Sequence, residues 1–138
     1  MSEAFANRTN VAALIPAYRE EKHIFEVARR ALAQLDHVVI LDDGSPDATA
    51  AKAREAGAEV IVHEVNRGKG AAIKTGLKAL TGRGFQYIQI LDGDGQHLPE
   101  EIPRFLDEAN HSQSHIILGN RMSDVEEMPF VRKMTNRF

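Results

Sequence analysis

The chain has 138 residues, 17 Lys and Arg against 20 Asp and Glu, and no cysteine. That length suits one domain, a formal charge of −3 gives no basic excess for nucleic acid, and the lack of cysteine excludes disulfides, thiolate zinc sites and cysteine nucleophiles. No apolar run reaches the ~18 residues of a membrane span, and MSEAFANRTN has neither part of a secretory signal, so a soluble, cytoplasmic domain is expected.

Hydrophobic period divides the chain into alternating elements. Val11 to Ile15 is a short apolar run, closed by Pro16, that predicts a buried strand. From Glu20 onward, Ile24, Val27, Ala28, Ala31, Leu32 and Leu35 follow helical spacing. HVVIL, residues 37–41, predicts a second strand. Ser45 is placed to cap the next helix and Pro46 to take its first position, with Gly57 at its far end. Glu59 to His63 predicts a third strand. A helix follows NRGKG, with Ile73, Leu77 and Leu80 on one face and Gly82 and Gly84 at its end. Phe85 to Leu91 predicts a fourth strand, Ile102, Phe105, Leu106 and Ala109 a further helix, and His115 to Leu118 a fifth strand. Such alternation implies a mainly parallel sheet with helices on both faces, whose ligands bind beyond the carboxyl ends of the strands.

Polar motifs stand at those ends. Asp92-Gly93-Asp94, with Gln96, places two carboxylates one residue apart, a pattern that suits Mg²⁺ or Mn²⁺ and equally suits a plain turn before the helix. The spacing rejects an EF-hand loop, because His97 falls where glycine is required. Asp42 and Asp43 stand together before Gly44-Ser45, and mutual repulsion makes a purely structural reading of the pair less economical than a ligand-binding one. Tyr18 can stack on a base or pack on a helix, and Glu20 can accept from a ligand or favour a helix N-terminus. Asn66-Arg67-Gly68-Lys69-Gly70 can supply backbone N–H groups and cations to an anion, or Asn66 can cap the helix. It is neither a P-loop nor a dinucleotide fingerprint, since Lys69 lacks a following Ser or Thr and position 73 is Ile73. Arg121 can hold a diphosphate or lie in solvent. The six histidines show no metal-ligand spacing and read mostly as surface residues, with His97 beside the acidic turn.

In order, ALIPAYREE, VVILDDGSPDAT, NRGKGAAIKTG, ILDGDGQHLPEEIP and ILGNRM strongly resemble family 2 glycosyltransferases, especially the dolichol-phosphate mannosyltransferase and polyprenyl-phosphate glycosyltransferase branch. The resemblance implies an α/β GT-A, nucleotide-diphospho-sugar transferase fold with a mainly parallel sheet, incomplete at its C-terminus. It implies one catalytic domain over residues 1–138 that holds the donor and metal portion and lacks the acceptor portion. Pro16, Tyr18, Glu20, Leu41, Asp42, Asp43, Lys69 and Gly93 would then serve the nucleotide-sugar, and Arg121 its phosphate end. Asp92, Asp94 and Gln96 would hold Mg²⁺ or Mn²⁺. The donor would be a GDP- or UDP-sugar and the acceptor a polyprenyl or dolichyl phosphate at the cytoplasmic membrane face, with transfer by inverting displacement. An alcohol acceptor would need a general base; none is evident, which suits an acceptor already ionised. No nucleic acid is expected as a partner. An exposed sheet edge with Phe130 and Phe138 favours self-association into a homo-oligomer. The rival reading is a non-catalytic nucleotide-sugar or partner-binding module. A sugar-nucleotidyltransferase is disfavoured, because the segment after the first strand, PAYREEKH, has no glycine.

Overall fold

The first strand, β1 (Val11–Ala17), is buried at every position. Continuous burial requires cover on both faces and paired neighbours on both edges, and the computed structural model, which describes residues 6–85, 87–95, 98–112 and 116–118, supplies both. The order of elements is β1, α1 (Ile24–Leu32), β2 (His37–Asp42), α2 (Thr49–Glu55), β3 (Glu59–Val62), α3 (Lys69–Gly82), β4 (Tyr87–Ile90), a 3₁₀ turn (Pro99–Glu101), α4 (Ile102–Ser112) and β5 (Ile116–Leu118). The five strands form one sheet in the order β3-β2-β1-β4-β5, and every pairing is parallel. The alternation expected from the hydrophobic pattern is therefore the architecture found.

The two faces are unequal. Val11, Ala13, Ile15 and Ala17 of β1 meet Ile24, Val27, Ala28 and Ala31 of α1, Ala53 of α2, and Ile102 and Ala109 of α4. On the other face Ala12 and Leu14 of β1, Val39 and Leu41 of β2, and Ile88 and Ile90 of β4 meet Ala72 and Leu80 of α3. Among the described residues α3 alone covers this face. A Cβ at Gly76 would come within 2.4 Å of Leu14 Cδ1, so the missing side chain lets α3 settle onto β1.

This handedness creates the ligand crevice. Right-handed crossovers carry the chain from β1 to β2 to β3 on one face, then α3 returns it across the sheet to β4 on the other. Connections therefore leave β1 and β4 in opposite directions, and a crevice opens at their carboxyl ends.

Two local expectations are corrected. Pro16 does not end β1; the strand runs on to Ala17, with Pro16 opposite Leu41 and Ala17 opposite Asp42. The reason lies in the alternation of the ladder. Leu91 N–H donates to Leu14 O, so the even positions of β1 turn their polar groups toward β4, whose last pair with β1 is Leu14 with Ile90. The absent N–H of Pro16 faces the space where β4 has already left. Ser45 does not cap α2 either. That helix starts at Thr49 with Ala48 before it and no side-chain cap, and Ser45 Oγ instead accepts Arg19 N–H at 2.9 Å. Gly57 does follow α2 as expected, at φ +99°.

Gly44 is the described glycine pressed hardest against other backbone. Its φ is +73°, and a Cβ there would lie 2.6 Å from both Asn66 N and Val65 C. Backbone cannot yield as a side-chain tip can. Gly44→Ala is expected to lower stability by about 3 kcal/mol, the sum of overpacking and a left-handed φ. Gly70→Ala, where nothing lies within 4 Å of the added Cβ, should be neutral or slightly stabilising. Urea denaturation of the two variants checks the contrast.

Candidate functional site

A cleft of about 430 Å³ lies at the carboxyl ends of β1 and β4. Pro16, Ala17, Tyr18 and Glu20 line it from the end of β1, and Asp92, Gly93 and Asp94 from the segment after β4. Asp43 enters from the end of β2, and Asn66, Gly68, Lys69 and Ala72 from the start of α3. Three separate sequence motifs and the NRGK segment thus meet in one place.

The turn after β1 is shaped by the motif after β2. Arg19 has φ +55°, a left-handed conformation that costs a non-glycine residue about 1 kcal/mol. It is held there by the bond from its N–H to Ser45 Oγ, and Glu20 N–H donates to Thr49 Oγ1 at 3.0 Å. Ala48 N–H in turn donates to Glu21 Oε2 at 3.0 Å. Tyr18 is left 39% exposed at the mouth of the cleft, with the Arg19 guanidinium 5.3 Å from its ring centre.

Asp43 is buried and heavily engaged. It is 3% exposed. Its Oδ1 accepts His63 Nδ1 at 2.7 Å and Arg67 N–H at 3.0 Å, and its Oδ2 accepts Gly68 N–H at 2.8 Å. Asn66 Nδ2 donates to Asp43 O at 3.2 Å. Burial pushes the Asp43 carboxyl up, but the bonds from His63, Arg67 and Gly68 outweigh it and hold the group below the ordinary aspartate range. The anion-binding potential expected of the NRGKG segment is therefore met in part by the chain's own carboxylate. Asn66 does not cap α3; Gly68 stands at that position with φ +99°.

A carboxylate offers about four lone-pair sites. The three donors leave Asp43 with one, on Oδ2, and Asp43 lines the cleft. The group can thus still accept one N–H or O–H from a ligand.

The far side of the cleft is acidic. Lys69 Nζ lies 2.5 Å from Asp92 Oδ1, bridging α3 to the segment after β4. Burial raises the pKa of Glu20 most, and the charges of Asp94, Asp47 and Asp92 raise it further against the opposing effect of His23. Carboxylates that repel one another across a cleft are the setting in which a divalent cation gains most. Asp92 and Asp94 fit such an ion as two hard oxygen donors. Among the described residues no group of three or more His, Asp or Glu side chains is gathered for a metal, so water and phosphate oxygens would fill most of the other positions, as Mg²⁺ commonly takes. Gly93 passes close over β1: a Cβ there would lie 3.3 Å from Pro16 O and from Ala17 Cβ.

Of the residues singled out from sequence, Pro16, Tyr18, Glu20, Asp43, Lys69, Asp92, Gly93 and Asp94 come together in the cleft. Leu41 and Asp42 do not line it. Leu41 is fully buried under α3, and Asp42 Oδ1 accepts Ser45 N–H at 3.1 Å, closing the turn after β2. Gln96, His97 and Arg121 lie outside the described residues. His63, grouped with surface histidines in the sequence reading, is 7% exposed and its ring bridges Asp43 and Thr75. Its signal was the register: β2 and β3 are parallel with Asp42 opposite Val62, so the next positions, 43 and 63, are neighbours.

The family model for glycosyl transferase family 2 matches residues 12–137. The chain belongs to glycosyltransferase family 2. Among curated relatives it is 35% identical over 139 residues to the dolichol-phosphate mannosyltransferase of Pyrococcus furiosus, covering 92% of this chain and 38% of that protein. It is 31% identical over 144 residues to the UDP-N-acetylglucosamine–dolichyl-phosphate N-acetylglucosaminyltransferase of Methanococcus voltae, covering 89% and 57%. The chain thus spans about 40 to 60% of these relatives' lengths. Among solved structures it is similar to glucosyl-3-phosphoglycerate synthase of Mycobacterium tuberculosis. In complex with UDP that enzyme gives a TM-score of 0.60 at 27% identity, over 68% of this chain and 37% of that one. In complex with Mn²⁺, UDP and glucosyl-3-phosphoglycerate it gives 0.63 at 24% identity, over 73% and 39%. The fold is the GT-A fold expected from the resemblance, with the described strands all parallel.

The Asp43 network has a measurable pH signature. An unfolded aspartate titrates near ~3.9, and the folded value is lower. Its contribution to stability is complete above the unfolded value and is lost as pH falls through the folded one. Asp43→Asn is expected to be less stable by about 2 kcal/mol at neutral pH and to lose less further stability than the wild type below about pH 4. Urea midpoints across that range read both effects.

Proposed function

We propose that this chain forms the donor half of a metal-assisted family 2 glycosyltransferase. It binds a GDP- or UDP-sugar for inverting transfer to a polyprenyl or dolichyl phosphate at the cytoplasmic face of a membrane. The observation that carries the reading is the convergence, in one cleft, of a buried aspartate with a single open acceptor site and two half-buried carboxylates, Asp92 and Asp94, the first of them paired with Lys69. A nucleoside diphosphate has a matching division: an N–H-bearing base at one end and a charge-rich diphosphate at the other. Curated relatives named as dolichyl- and undecaprenyl-phosphate sugar transferases support the acceptor class, and a structural relative crystallised with Mn²⁺ or Mg²⁺ and UDP supports the donor class.

Each residue has a task in this reading. Asp43 accepts the base N–H, Tyr18 offers a ring face beside it, and Glu20 accepts from a ring N–H or sugar hydroxyl. Asp92 and Asp94 hold the divalent ion, with Gln96 as a further ligand. When bound, that ion neutralises the charge that grows on the departing diphosphate. Lys69, released from Asp92, reaches the same phosphates as a mobile cation, and Arg121 supplies a second one. An anionic lipid phosphate attacks the anomeric carbon without prior loss of a proton, so the chain needs no general base for that acceptor.

Calorimetric titration of UDP and GDP in the presence of Mn²⁺ tests the donor site. One of the two should bind in the presence of metal, and Asp92→Ala and Asp94→Ala should each weaken binding by tenfold or more, on the scale of one charge-assisted contact. Unchanged binding in both variants would refute the assignment. A second reading is a nucleotide-sugar-binding module without turnover. Transfer of radiolabelled sugar to a polyprenyl phosphate by the 138-residue chain would eliminate it.

A further inference from the structure

Beneath Asp43 stands a column of side chains that the donor-site reading does not use. Asp43 Oδ1 meets His63 Nδ1 at 2.7 Å, and His63 Nε2 meets Thr75 Oγ1 at 2.8 Å. The column crosses three elements: the end of β2, the residue after β3, and the second turn of α3. His63 is 7% exposed and does not line the cleft, so it cannot touch a ligand there.

We propose that His63 and Thr75 are positioning residues for recognition of the donor base, acting through Asp43. The inference rests on the donor-site reading above and names what sets its base end. Asp43 Oδ1 is filled by His63 and Arg67, and Oδ2 by Gly68, which leaves one acceptor direction on Oδ2. The two backbone donors come from a single loop. His63 supplies the remaining restraint from another strand. Without it the carboxylate is held only by the two N–H bonds of that one loop, and the direction of its open lone pair follows the loop instead of the sheet. Thr75 acts one step further back. Its hydroxyl holds Nε2, which keeps the ring plane in line with Asp43 and directs Nδ1–H at the carboxylate. The ordering of these groups is already built into the fold, so a base that binds them loses less on association.

A base-end role and a merely structural one differ in what they change. A positioning defect at Asp43 weakens ligands that carry a base and spares those that do not. Asparagine at 63 places a side-chain N–H the same number of bonds from Cβ as Nδ1, so it can still donate to Asp43; leucine cannot.

The test measures binding of UDP, GDP and inorganic pyrophosphate, each with Mn²⁺, to the wild type, His63→Leu, His63→Asn and Thr75→Val, with thermal unfolding of each in parallel. His63→Leu should weaken the nucleotide that the wild type prefers by about tenfold and leave pyrophosphate unchanged. His63→Asn should recover most of that loss, and Thr75→Val, which keeps its shape and fold, should lose about threefold. Equal binding by the wild type, His63→Leu and Thr75→Val would overturn the proposal alone, as would a parallel loss for pyrophosphate or a failure of asparagine to rescue a folded protein. A wild type that binds neither nucleotide would overturn the donor-site reading and this proposal with it.

Discussion

One buried carboxylate organises the business end of this protein. Asp43 sits where β2 ends, and its two oxygens collect a histidine from the end of β3 and two backbone N–H groups from the loop that opens α3. The carboxylate therefore ties together segments that the β3–α3 crossover would otherwise leave as a surface loop. Its charge is tolerated in the interior because it is met by donors rather than by water, and its lowered pKa is the sign that those donors outweigh burial. The path of α3 depends on it. So does the position of Lys69, the first residue of that helix, and hence the bridge to Asp92.

The cleft that results has two electrostatic halves. At the β2 side the negative charge is already solvated by three hydrogen bonds, so a neutral heterocycle meets a single directed acceptor. At the β4 side Glu20, Asp92 and Asp94 face one another with Lys69 as counter-charge, and Glu20 registers the crowding as a raised pKa, after burial itself. The same residue types thus perform opposite work. Aspartate near backbone N–H groups becomes part of the scaffold, whereas aspartate near other carboxylates remains available to a cation.

Much of this was readable from sequence, for physical reasons that differ by element. The five strands were legible because parallel strands covered on both faces have no polar face to interrupt the apolar run, as in VAALI and HVVIL. The polar residues after them were legible as site candidates because the strand-end rule locates ligands without knowledge of side-chain packing. Where the reading failed, the decisive contact lay between segments far apart in the chain. Ser45 has the local chemistry of a helix cap, but its hydroxyl is taken by Arg19 N–H, 26 residues earlier in the chain. Asn66 has the same local chemistry, and the carbonyl of Asp43 takes its amide. His63 looked like any strand-end histidine until the β2–β3 register placed it beside Asp43. Leu41 and Asp42 belong to the scaffold for separate reasons: Leu41 packs under α3 and Asp42 Oδ1 accepts Ser45 N–H to close the turn, which leaves Asp43, past the last pair, at the opening.

Pro16 gives the opening a covalent guarantee. Continuing the β1–β4 ladder by one more rung would require an N–H at position 16, and proline has none. The bond that would carry the ladder past Leu14 therefore has no donor on the β1 side. β2 meets no such bar: Asp43 N–H still donates to Ala17 O, so the sheet stays stitched on one side of β1 while it is held unstitched on the other. A five-membered ring, rather than a flexible hinge, keeps the mouth of the site ajar.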